Sequence, residues 1–154
     1  MNQDFLDVFQ ALFATNARFL VVGAFAVSVH AEPRATGDLD VWVDPASENA
    51  RRVYEALKRF GAPLADLSVQ DLSSPDIVFQ MGLAPNRIDI LTSVSGLTFE
   101  EAWKTHETFE FAGLMIPVIG REALIRNKKA AGRPRDLIDL EILTKHRPPR
   151  GTRN

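Results

Sequence analysis

The chain has 154 residues, 45% hydrophobic and 25% charged, with no cysteine. That composition suits one globular domain burying roughly two-thirds of its unfolded surface, and it excludes disulfides, thiolate metal sites and cysteine nucleophiles. The net charge of -2 conceals an asymmetry: from Arg121 onward 10 Lys and Arg stand against 4 Asp and Glu, so the first 120 residues carry -8. An acidic portion is thereby set beside a basic segment able to hold phosphates.

The longest apolar run, Phe19 to Val29, contains Gly23 and Ser28 and falls short of the roughly 20 residues that span a bilayer. Asp4 and Asp7 precede any apolar stretch, the reverse of a signal peptide. These features predict a cytoplasmic protein with no membrane partner. Residues 1–147 are expected to form one domain, and 148–154 a basic, flexible tail.

Leu6, Phe9, Gln10 and Phe13 recur at helical spacing and predict an amphipathic helix over 4–15. Arg18 to Val22 reads as a short buried strand, and Gly23-Ala24 turns the chain into a helix of small residues ending near His30. Pro33 and Gly37 make 31–37 a loop. In the next strand, 38–43, alternation puts Leu39, Val41 and Val43 on the core face and Asp38, Asp40 and Trp42 on the other. Asp44-Pro45 is expected to cap a helix with Ala50, Val53, Tyr54 and Leu57 as its buried stripe, ending near Gly61. After a polar stretch, 77–81 and 87–91 predict two strands turning around 82–86, with Ile88 and Ile90 inward and Asp89 outward. A short helix over 99–104, a hairpin of 107–111 and 114–118, and a helix over 122–131 follow. Gly132-Arg133-Pro134 breaks that helix before a last one over 134–145, expected to bury Leu137, Leu140 and Ile142 or Leu143.

Asp38 and Asp40, two residues apart on one strand face, have side chains able to converge on a cation, and oxygen-only ligands of this kind suit a hard ion such as magnesium. Taken alone, such an acidic alternation more commonly marks a solvent-exposed sheet face. Three features weigh toward the ion: Asp89 is a third carboxylate on another alternating strand, Gly23 opens a helix whose free N–H groups can receive a phosphate, and Arg34, Lys128 and Arg133 supply cations. An ion pair of Asp89 with Arg87 or Arg34 is the structural alternative for that residue. Trp42 can stack on a base or simply pack, and Asp136 and Asp139 fit intrahelical pairing with nearby arginines. His30, His106 and His146 lack zinc-ligand spacing.

Val21-Val22-Gly23-Ala24, Pro33-Arg34-Ala35-Thr36, Gly37-Asp38-Leu39-Asp40-Val41, Arg87-Ile88-Asp89-Ile90-Leu91 and Asn127-Lys128 through Asp136-Leu137 together resemble the polymerase-beta-like nucleotidyltransferase superfamily. The likeness is greatest to its small bacterial branch, which includes toxin-antitoxin and abortive-infection enzymes. It implies an α/β (α+β) fold, a mixed twisted sheet with helices on one side and a cleft against the C-terminal helices.

The resemblance further implies that Asp38, Asp40 and Asp89 hold two Mg2+ (or Mn2+) ions and are the catalytic residues, Asp89 accepting the proton of the attacking hydroxyl. Gly23, Ala24, Arg34, Thr36, Lys128 and Arg133 would bind the nucleotide. The implied reaction moves a nucleoside monophosphate from an NTP such as ATP to a hydroxyl on RNA or protein, in a toxin-type enzyme with a cognate antitoxin. The family has Ser or Gly where this chain has Ala24, which keeps the backbone N–H but lacks a hydroxyl. The alternative is a non-catalytic module of the same fold that binds nucleotide or a partner.

Overall fold

A computed structural model describes residues 1–32 and 37–145. The expected tail at 148–154, together with Arg34 and Thr36, lies outside the described residues.

Among the described residues the elements run α1 (Gln3–Ala14), β1 (Phe19–Val22), α2 (Gly23–His30), β2 (Leu39–Val43), α3 (Ser47–Phe60), α4 (Val69–Leu72), β3 (Val78–Met81), β4 (Ile88–Leu91), α5 (Phe99–Lys104), β5 (Glu107–Phe111), β6 (Leu114–Val118), α6 (Arg121–Ala131) and α7 (Pro134–Lys145). The strands form one mixed sheet in the order β3-β4-β2-β1-β6-β5. β2 lies parallel to β4 and antiparallel to β1, and β1 lies parallel to β6. The mixed α/β architecture is the one expected from the sequence.

Alternation sorts the two sheet faces. On one, Leu39, Val41 and Val43 pair with Ile88, Ile90 and Phe19 and are fully buried. Phe19 stacks on Phe9 of α1 at 5.9 Å between ring centroids, so the first helix seals this face and packs on α3 in turn. Phe25 and His30 of α2 meet Phe111 and Phe109 of β5 edge to face. The opposite face carries Asp40 and Asp89 at one end. At the other, Trp42 is only 1% exposed, sealed by Phe99 of α5 at 5.2 Å. Trp42 is therefore a packing residue rather than a platform for a base. β2 and β4 lie inside the sheet, β4 next to the edge strand β3, so the carboxylates they carry are backed by neighbours on both sides.

Three local expectations change. α3 begins at Ser47, beyond Asp44-Pro45. Asp44 Oδ1 instead accepts the Ala46 N–H at 3.0 Å, and the Asn49 amide donates to the carbonyls of Arg18 and Asp44, so these residues form a turn that ties the helix start to β1. The polar stretch before β3 holds the unforeseen α4, closed by a reciprocal capping box between Ser68 and Asp71. In α7, Leu143 is fully buried but Leu137 is 56% exposed, and the inward face of the first turns carries Asp136 and Asp139. A buried lysine on α6 dictates this: Lys128 is 6% exposed, and an ammonium taken from water needs carboxylate partners more than the helix needs one more buried leucine.

Candidate active site

β1 ends at Val22, whose register partner is Asp40 on β2. Gly23 follows at φ +69° and opens α2 directly over that aspartate. A Cβ at Gly23 would overlap Asp40 Oδ2 and stand 3.0 Å from its Cγ and 3.2 Å from its Cβ. Glycine is thus required twice, by the left-handed backbone and by the close approach. No side chain caps the start of α2. Gly23 and Ala24, at that start, line a cavity of about 510 Å³ together with Asp40 of β2 and Asp89 of β4.

Asp40 and Asp89 are direct register partners on the parallel strands β2 and β4, so their carboxyl groups stand side by side. Asp38 stands just before β2 and lines the same cavity. The structure therefore brings together the three carboxylates singled out by the sequence. Burial, then the charge of Asp89, push the Asp40 carboxyl up to about 6; Lys128 pulls the other way, and Asp38 adds a smaller push. Arg87, considered from the sequence as an ion-pair partner of Asp89, joins them in that role. Arg87 Nε donates to Asp89 Oδ1 at 2.8 Å and Nη2 to Asp89 Oδ2 at 3.2 Å, while its backbone N–H donates to Asp38 Oδ1 at 2.9 Å. Arg87 is two residues before Asp89, on the same side of an alternating strand; its further contact with Asp38 was not foreseen.

Among the described residues no group of three or more acidic or histidine side chains is arranged to hold a metal ion. The reason is visible in the bonding: the guanidinium of Arg87 engages Asp89 and lies 3.4 Å from Asp38 Oδ2, leaving Asp40 to the remaining repulsion. The donor set still fits a hard divalent cation. All its donors are oxygen, and Asp40 and Asp89 come from adjacent strands with Asp38 beside them in the same cavity.

Across the cavity, α6 and α7 provide the cationic wall. Lys128 Nζ lies 3.0 Å from Asp139 and 3.3 Å from Asp136, so it is buried and held rather than extended into the cavity. Arg133 also lines the cavity with an exposed side chain, and its Nε and backbone N–H both donate to Asp136 Oδ2, at 2.7 and 3.0 Å. Burial alone would raise the carboxyl of Asp136, but these bonds from Arg133, with Lys128, hold it at about 2. Asp136 and Asp139 thus do more than pair within their helix, since they anchor the neighbouring helix's lysine. Arg135 and Asn127 complete this wall, and neither was marked from the sequence.

No family model matches the chain, and no curated protein matches it by sequence. Among solved structures, it is similar to the lincosamide antibiotic adenylyltransferase LnuA in its lincomycin-bound form, with a TM-score of 0.60 at 13% identity over 94% of this chain and 96% of that one. It is also similar to a Thermotoga maritima protein classed as a nucleotidyltransferase, with a TM-score of 0.55 at 15% identity over 94% of this chain and 93% of that one. The chain has the nucleotidyltransferase fold, in agreement with the sequence resemblance.

Proposed function

We propose that the chain is a nucleotidyltransferase that moves a nucleoside monophosphate from an NTP to an acceptor hydroxyl, with release of pyrophosphate. The observation that carries this reading is the pairing of Asp40 with Asp89 across β2 and β4, with Asp38 beside them, in one cavity whose far wall bears Lys128, Arg133 and Arg135. Carboxylates on one wall and cations on the other suit a polyphosphate that must be held and neutralised at once. Mg2+ or Mn2+ held by Asp38, Asp40 and Asp89 would supply the charge that offsets the phosphates and lowers the pKa of the attacking hydroxyl.

The chain's own residues supply the rest. The N–H groups at the start of α2 are donors for phosphate oxygens, and Ala24 contributes its N–H but no hydroxyl. Arg133, half exposed while paired with Asp136, is the accessible cation of the wall, and Lys128 adds a fixed positive field directed at Asp40. Asp89 takes the proton of the attacking hydroxyl once one of its oxygens is freed from Arg87. Arg34 and Thr36, a few residues before Asp38 in the sequence, are proposed as further phosphate ligands.

The acceptor proposed from the sequence resemblance is RNA or protein, in a cytoplasmic toxin-type enzyme restrained by an antitoxin. A small hydroxylated molecule is the second reading, favoured by the likeness to a lincosamide adenylyltransferase along nearly its whole chain. The test incubates the protein with each α-labelled NTP, Mg2+ or Mn2+, and in turn total RNA, cell protein or lincomycin, beside an Asp38→Ala/Asp40→Ala variant. Label transferred by the unmodified chain alone supports the function and identifies the acceptor class. Absence of transfer to all three, with no metal-dependent NTP binding by calorimetry, refutes it.

A further inference from the structure

One arginine binds both of the carboxylates that flank Asp40. Arg87 meets Asp89 with a two-pronged fork at 2.8 and 3.2 Å, reaches Asp38 Oδ2 at 3.4 Å through the same Nη2, and donates its backbone N–H to Asp38 Oδ1 at 2.9 Å. Every carboxylate oxygen of these two aspartates thus faces one residue. The planar guanidinium matches a carboxylate in a way an ammonium cannot. The side chain is still 32% exposed and forms part of the cavity wall, so it has a route into water.

We propose that Arg87 is a positioning residue that holds Asp38 and Asp89 in place until a divalent cation exchanges with its guanidinium. The inference rests on the reading of the three aspartates as cation ligands. Three carboxylates facing one another repel, and a single positive charge forked between two of them keeps their oxygens fixed around the third. An arriving ion replaces one positive charge by two, while the released guanidinium is rehydrated at the cavity mouth. The arrangement assembles the carboxylates in advance, and its cost is a weaker apparent affinity for the ion, because the fork must open first.

Titration of the full chain with Mn2+ alone, without nucleotide, tests the exchange by calorimetry. Arg87→Lys keeps the charge but cannot form the fork, Arg87→Gln removes both, and Arg135→Gln removes a cavity arginine that does not bond these aspartates. The expected result is Mn2+ binding about tenfold tighter in Arg87→Lys than in the unmodified chain. Arg87→Gln should tighten further, and beyond Arg135→Gln. In EDTA both Arg87 variants should melt below the unmodified chain, and saturating Mn2+ should close that gap. Binding by Arg87→Lys no tighter than the unmodified chain, or tightening in Arg87→Gln no greater than in Arg135→Gln, overturns the exchange while leaving the cation site standing. Failure of every variant and of the unmodified chain to bind Mn2+ overturns both.

Discussion

Replacing Gly23 with alanine should damage the protein through two separable effects. The backbone there is left-handed at φ +69°, a conformation that costs an alanine about 1–2 kcal/mol. The added methyl would also overlap the Asp40 carboxylate, standing 3.0 Å from its Cγ. Asp40 has nowhere cheap to go, because it is already largely buried between the like charges of Asp89 and Asp38. Overpacking of this kind adds about 1–3 kcal/mol. Gly61 provides the control: it too is left-handed, at φ +92°, but a methyl there meets nothing within 4 Å. Gly61→Ala should therefore lose only the backbone part, about 1–2 kcal/mol. Urea denaturation in EDTA measures both losses, and each kcal/mol should appear as about 2–4 °C in Tm for a chain of this size. In an Asp40→Ala background, where only the 3.2 Å approach to Cβ remains, the excess penalty of Gly23→Ala should shrink toward the Gly61 value. Equal losses for Gly23→Ala and Gly61→Ala in the unmodified background would show that the methyl does not meet Asp40, and the reasoning would fall.

The raised carboxyl of Asp40 has a definite pH signature. Its folded value of about 6 lies above the ordinary 3.8, so the folded chain holds this proton more tightly than the unfolded one. Metal-free stability is then lost as pH rises between those values, by up to ~3 kcal/mol. Asp40→Asn should accordingly stabilise the EDTA-treated chain near pH 8 and do little near pH 4; a gain of the same size at both would contradict the assigned cause. On α7, Leu137→Ser should change the free energy of unfolding by less than about 0.5 kcal/mol in urea denaturation, while Leu143→Ala should cost about 2–5 kcal/mol. The opposite order would restore the helix face expected from apolar spacing.

Much of the framework was legible before the structure because it rests on short-range rules. Strict alternation in Leu39-Asp40-Val41 and Ile88-Asp89-Ile90 separates core face from site face, and turn residues such as Gly82 and Gly113 mark where strands reverse. The helices at Gln3–Ala14 and Arg121–Ala131 start or end within a residue of expectation for the same reason. Periodicity misled where a side chain's partner lies on another element. Leu137 fits an apolar stripe on α7, but the stripe says nothing of Lys128, whose burial on α6 turned Asp136 and Asp139 inward. Trp42 shares the aspartates' face by alternation, yet Phe99, far along the chain, closes over it.

The sequence by itself determined which residue types are available and on which side of each strand they stand. Ordered glycine, paired aspartates and a helical lysine pointed to the nucleotidyltransferase fold without any contact being known. Only the tertiary structure decided how those groups are partnered: that Asp40 abuts both Gly23 and Asp89, that Lys128 is clamped by α7, and that Arg87 binds two of the three carboxylates. The reason is one of range. Alternation and helical period constrain neighbours in the chain, whereas a buried charge is governed by whichever opposite charge folding brings within a few ångströms, and that is settled by how strands and helices are ordered in space.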